Sequence, residues 1–156
     1  MLGPTLMLVL LVAPYLCSRV FRSHTNPQDS AALGVGMMLI LTGSSHFFRT
    51  AEMVQMLPDF LPLRYLGVIL TGVLELLLAA LVVRRTTRRT AAVLTLLMLL
   101  MFLPVNLYAA WVKAPVGGHQ WGVSYLFVRI PAQFIIAGWI WFWLPSRRSV
   151  NRNRLC

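Results

Sequence analysis

The stretch Leu66 to Val83, LGVILTGVLELLLAALVV, decides how this chain is read. It is apolar and close to the length that crosses a bilayer, since about 20 residues at 1.5 Å rise span the hydrocarbon core. Glu75 interrupts it near the middle, with Thr71 one turn before and Ala79 one turn after. A lone carboxylate at that depth costs roughly 2.5–3.5 kcal/mol on insertion scales. It must carry a proton or face a partner inside a helix bundle.

Composition agrees with a membrane setting. Of 156 residues, 58% are hydrophobic and only 12% charged, more apolar surface than a soluble domain of this length can hide. The net charge of +10 is carried almost wholly by arginines at the ends of apolar runs. There they serve topology and anionic headgroups; no folded basic face remains for nucleic acid. Cys17 and Cys156 form no CxxC or Cys/His pattern, so neither a disulfide nor a metal site is expected.

Outward from the Glu75 run, the sequence predicts an all-α integral membrane bundle. A single transmembrane unit over 1–146 has helices at about 2–18, 31–48, 66–83, 90–111 and 123–144, followed by a basic cytoplasmic tail at 147–156. The first run lacks a positive leading region and a clean cleavage site, so it reads as a retained helix that Pro14 kinks. Asn26-Pro27 signals a turn, with Asp29 or Ser30 capping the next helix. Gly34, Gly36 and Gly43 let neighbouring backbones approach. Residues 49–64, RTAEMVQMLPDFLPLR, are too short and polar to span. They form either an interfacial segment broken at Pro58 and Pro62, or an ordinary loop with apolar side chains among headgroups. Gly117-Gly118 marks the last turn, and Trp139, Trp141 and Trp143 form an interfacial belt.

Arginines set the orientation. One side holds Arg19, Arg22, Arg84, Arg85, Arg88, Arg89, Arg147, Arg148, Arg152 and Arg154; the other holds only Arg49, Arg64 and Lys113. The positive-inside rule places the N-terminus outside and the C-terminus in the cytoplasm, which five crossings satisfy.

In that topology five polar residues share the outer half of the bilayer. At 1.5 Å per residue Glu75 and Gln133 lie roughly 15 Å deep, Arg129 and Asn106 roughly 9–10 Å, and His46 about 5 Å. Tyr125, Arg129 and Gln133 form one helical stripe, and Thr71 and Glu75 another. Arginine there is as costly as glutamate, and pairing relieves both. Glu75 and Arg129 are therefore expected as a buried pair, with Asn106 and Gln133 satisfying it. The group is either a structural polar clamp or the lining of a ligand pocket. His46 is either a boundary residue or a proton-handling or ligand-contact group at the pocket mouth. If residues 49–64 lie over the bundle, they form the lid of an outward-facing cavity.

The chain resembles the DoxX-like family of small bacterial membrane proteins. The resemblance rests on Gly43-Ser44-Ser45-His46-Phe47, Met56-Leu57-Pro58, Leu61-Pro62 and Thr71-Gly72-Val73-Leu74-Glu75. It continues through Arg84-Arg85, Arg88-Arg89, Phe102-Leu103-Pro104-Val105-Asn106 and Arg129-Ile130-Pro131-Ala132-Gln133. It implies a four-helix core at about 34–144, with the first run as an addition, and takes its name from a subunit associated with a quinone-linked oxidoreductase. The expected role is non-enzymatic: an inner-membrane protein binding a small amphipathic or quinone-like molecule, or a membrane subunit for a redox partner protein. The alternatives are a quinone-linked oxidoreductase subunit taking part in turnover and a small-molecule transporter. Expected partners are membrane lipids, a redox-complex protein or further copies of the chain, without nucleic acid. No metal or nucleotide motif is present, and quinone is the cofactor considered.

Overall fold

A computed structural model describes residues 2–21, 26–115 and 118–144. Among them every regular element is helical. Helix α1 spans Leu2–Val20, α2 Pro27–Phe48, α3 Thr50–Val54, α4 Arg64–Val83 and α5 Arg88–Trp111. A 3-10 segment, His119–Tyr125, leads into α6, Leu126–Trp143. Four stretches are long and apolar enough to cross a membrane: α2, α4, α5 and His119–Trp143. The basic tail 147–156 and Gly117 of the predicted turn lie outside the described residues.

Two helix starts differ from the expectation for local reasons. The second helix begins at Pro27 rather than Ala31. Asn26 is its cap, accepting from Gln28 N at 3.1 Å, and Pro27 sits where its missing N–H costs nothing. Asp29 and Ser30 therefore lie inside the first turn. The last α-helix begins at Leu126 rather than 123. Gly122, at φ 65° and ψ −147°, interrupts the ladder in a conformation that suits glycine alone.

Going round the bundle, the helices form a ring in the order α1, α2, α4, α5, α6, with α6 returning to α1. Leu11, Met38, Leu39, Leu78, Val82 and Ile140 fill its centre. Leucines such as Leu70, Leu77 and Leu100 point outward and stay exposed, as lipid contact requires. Helix α2 packs most closely. A methyl group on Gly34 would overlap the Leu11 carbonyl of α1. Farther along, α2 and α4 cross at Gly43 and Gly72. A Cβ on Gly43 would stand 3.1 Å from the Gly72 carbonyl oxygen, and one on Gly72 would stand 2.7 Å from the His46 Cβ. His46 and Glu75 flank that crossing.

The opposite end is tied by charge. Asp29, in the first turn of α2, pairs with Arg85 and, at 2.8 Å, with Arg88. Buried Arg88 also donates to the Val82 and Val83 carbonyls at 3.2 and 3.1 Å, satisfying the C-terminal end of α4. One guanidinium thus joins three helix ends. The carboxylate itself sits favourably at a helix N-terminus.

After α3 the chain turns tightly. Met56 N bonds Met53 O at 3.0 Å and Leu61 N bonds Pro58 O at 3.1 Å. Arg64 anchors the segment, donating to Asp59 at 2.5 Å and to the Leu57 carbonyl at 3.4 Å. Leu63 takes a left-handed φ of 56° to start α4.

Candidate functional site

At the His46 end, α2 and α4 each present two polar groups inward at one-turn spacing: Thr42 and His46 on α2, Thr71 and Glu75 on α4. Asn106 on α5 and Arg129 on α6 complete the wall. Together they line a cavity of about 410 Å³, a size typical of small-molecule sites. Met53, Met56 and Leu57 from the segment after α2 border it as well, so that segment folds over the cavity.

Glu75 is the deepest of these groups. It is 2% exposed, and its Oε2 has no hydrogen-bond partner among the described residues. Thr42 lines the same cavity, and His46 and Arg129 lie within electrostatic reach. Thr42 in turn donates to the Met38 carbonyl at 3.1 Å. His46 Nδ1 lies 3.0 Å from the Thr42 carbonyl. A carbonyl only accepts, so Nδ1 carries a proton and donates to it, which leaves Nε2 directed away from that bond.

Glu75 and Arg129 line the same cavity without pairing: among the described residues no ion pair joins them. The expected direct clamp is not formed because α4 and α6 are not neighbours in the ring. The two side chains approach from different walls. Arg129 instead places Nη1 3.6 Å from the Met7 sulfur of α1, while its buried Nε has no partner among the described residues.

Gln133 does not satisfy Glu75 either. Its amide nitrogen donates to the Leu99 carbonyl of α5, and it borders a small adjoining pocket of about 20 Å³ that also touches Asn106 and Arg129. It fastens α6 to α5 beside the main cavity. Both helices continue through Pro104 and Pro131.

Beyond the 49–64 segment, the sequence reading missed the apolar lining. Six of the chain's eight methionines, Met7, Met38, Met53, Met56, Met98 and Met101, border the cavity. They come from α1, α2, α3, the turn after it and α5, so no local spacing reveals them. Methionine is flexible and polarizable, and such a lining adapts to irregular apolar shapes. Gly72 was also missed as a packing residue. Among the described residues no group of three or more His, Cys, Asp and Glu side chains is placed to hold a metal ion. The chemistry on offer is an adaptable apolar chamber with a carboxyl, an imidazole and a guanidinium at fixed points.

A family model described as a domain of unknown function, DUF8561, matches residues 35–144, and the chain belongs to that family. The match takes in most of α2 and the whole of α3 to α6, and leaves α1 with Met7 outside. No curated protein and no solved structure matches the chain.

Proposed function

We propose that this DUF8561 protein is a multi-pass protein of the cell inner membrane that binds a small amphipathic or quinone-like molecule in the methionine-lined cavity. Binding rather than catalysis is its role. One observation carries the reading: Glu75 is almost fully buried with Oε2 unpartnered among the described residues, in a cavity shared with Arg129. A buried polar group left without a partner costs about 1–3 kcal/mol. An occupant with a hydrogen-bonding head offsets that cost, and its apolar part lies along the methionines. The resemblance to DoxX-like proteins favours a lipid-soluble, quinone-like occupant.

Five crossings, with the N-terminus outside and the C-terminus in the cytoplasm, complete the proposal. Helix α1 is apolar and has 19 residues, which at 1.5 Å each approach the roughly 30 Å thickness of the hydrocarbon core. Arg84, Arg85, Arg88 and Arg89 share one end of the bundle and would face the cytoplasm, with the cavity toward the outer side. A C-terminal reporter active only outside the cytoplasm stays silent in this orientation.

Native mass spectrometry of gently solubilised full-length protein tests the binding. The expected result is a stable mass increment that is lost in the double variant Glu75→Gln, Arg129→Ala. A bare chain mass, or the same increment in the double variant, overturns the reading.

A further inference from the structure

The cavity has an open side. Helices α4 and α5 are fastened at one end, where Thr87 Oγ1 donates to the Leu81 carbonyl at 2.7 Å and Arg88 to Val82 at 3.2 Å. Away from that end they border the cavity together, Gly67 and Thr71 from α4, Met101 and Val105 from α5. Met101 borders the cavity and is nevertheless 73% exposed. Gly67 is exposed too, and a Cβ placed on it meets no heavy atom within 4 Å. These residues touch both the cavity and the outside, so the chamber opens through the wall between the two helices. The flanking Leu70 and Leu100 are exposed leucines, so the opening faces hydrocarbon rather than water.

We infer that the gap between α4 and α5 is a lateral portal admitting the occupant from the lipid phase, and that the occupant is an uncharged amphiphile with an oxygen-bearing head. The inference rests on the cavity reading above. The rim residues Gly67, Thr71, Met101 and Val105 carry no charge, so an ionic head would lose its hydration in passing without gaining a partner. Once inside, an oxygen accepts from the Arg129 guanidinium, and a hydroxyl can donate to Glu75. The occupant's apolar part runs past Met98 and leaves beside Gly67 and Met101.

The test uses full-length protein in phosphatidylcholine vesicles with hexadecanol carrying a diazirine at mid-chain. After irradiation, adducts are mapped by mass spectrometry. Adducts are expected on cavity residues and at Met101, falling at least tenfold in Gly67→Trp, whose ring would fill the gap. Leu77→Trp, on the outer face of the same helix, should leave them unchanged. If Gly67→Trp does not fold, Met101→Trp closes the gap from the other side. Cavity adducts that persist in both portal variants but vanish in Glu75→Gln, Arg129→Ala overturn the portal and leave the binding site standing. Adducts confined to outward-facing residues in every variant overturn the site itself. Equal cavity labelling by the corresponding diazirine-bearing hexadecyl trimethylammonium overturns the uncharged class.

Discussion

Gly43 and Gly72 meet backbone to backbone where α2 crosses α4, and this contact fixes where His46 and Glu75 stand. A Cβ on Gly72 would come within 2.7 Å of the His46 Cβ and 3.1 Å of the Gly43 carbonyl oxygen. Neither a helix backbone nor a Cβ can move aside alone, so a side chain there pushes the helices apart.

Gly72→Ala should therefore lower stability by about 1–3 kcal/mol, the usual cost of overpacking a close contact. Gly138→Ala is the control, because a Cβ there meets nothing within 4 Å. It should be neutral or slightly stabilising, since alanine favours the helix. Thermal unfolding in mild detergent distinguishes them. Equal midpoints for both variants contradict the close crossing.

At the other end, Arg88→Ala should be more damaging than Arg85→Ala. The Arg88 side chain is 9% exposed and serves Asp29 and two α4 carbonyls, whereas that of Arg85 is 74% exposed and serves Asp29 alone. Losing Arg88 leaves buried acceptors unpaired, at about 2–4 kcal/mol. An exposed partner is screened and contributes little. Midpoints in urea or heat for the two variants give the order, and a larger loss for Arg85→Ala contradicts it.

Glu75→Gln and Arg129→Ala should couple only weakly in their effects on stability in protein stripped of bound molecules. The side chains share a cavity but no ion pair, so their double-mutant coupling should lie at the low end of the range for sites that share a cavity, below about 1 kcal/mol. A coupling above about 1 kcal/mol would restore the direct clamp.

Much of the fold was legible because lipid imposes a simple requirement: long apolar runs closed by arginines can only be helices. The polar site residues were legible for the same reason, as outliers on apolar faces. His46, Glu75, Asn106 and Arg129 do reach one cavity. What the sequence could not supply was adjacency around the ring. Glu75 and Arg129 share a depth, yet depth says nothing about which helices are neighbours, and α4 and α6 are not. Asp29 and Arg88 are 59 residues apart, and Arg88 read only as a topology signal. Asn26-Pro27 read as a turn because the same dipeptide also starts a helix. Met53 and Met56 were legible as part of the segment over the bundle, but Met7, Met38, Met98 and Met101 left no trace, since they are spread over separate elements.

Ser45 borders the cavity and differs from cysteine by one atom, which makes it the most direct reporter of occupancy. In a background with Cys17→Ser and Cys156→Ser, Ser45→Cys protein is treated with N-ethylmaleimide before and after bound molecules are removed by detergent exchange. The account predicts slow modification of the gently extracted protein and at least tenfold faster modification once it is stripped. Equal rates in both preparations would contradict an occupied cavity beside Glu75.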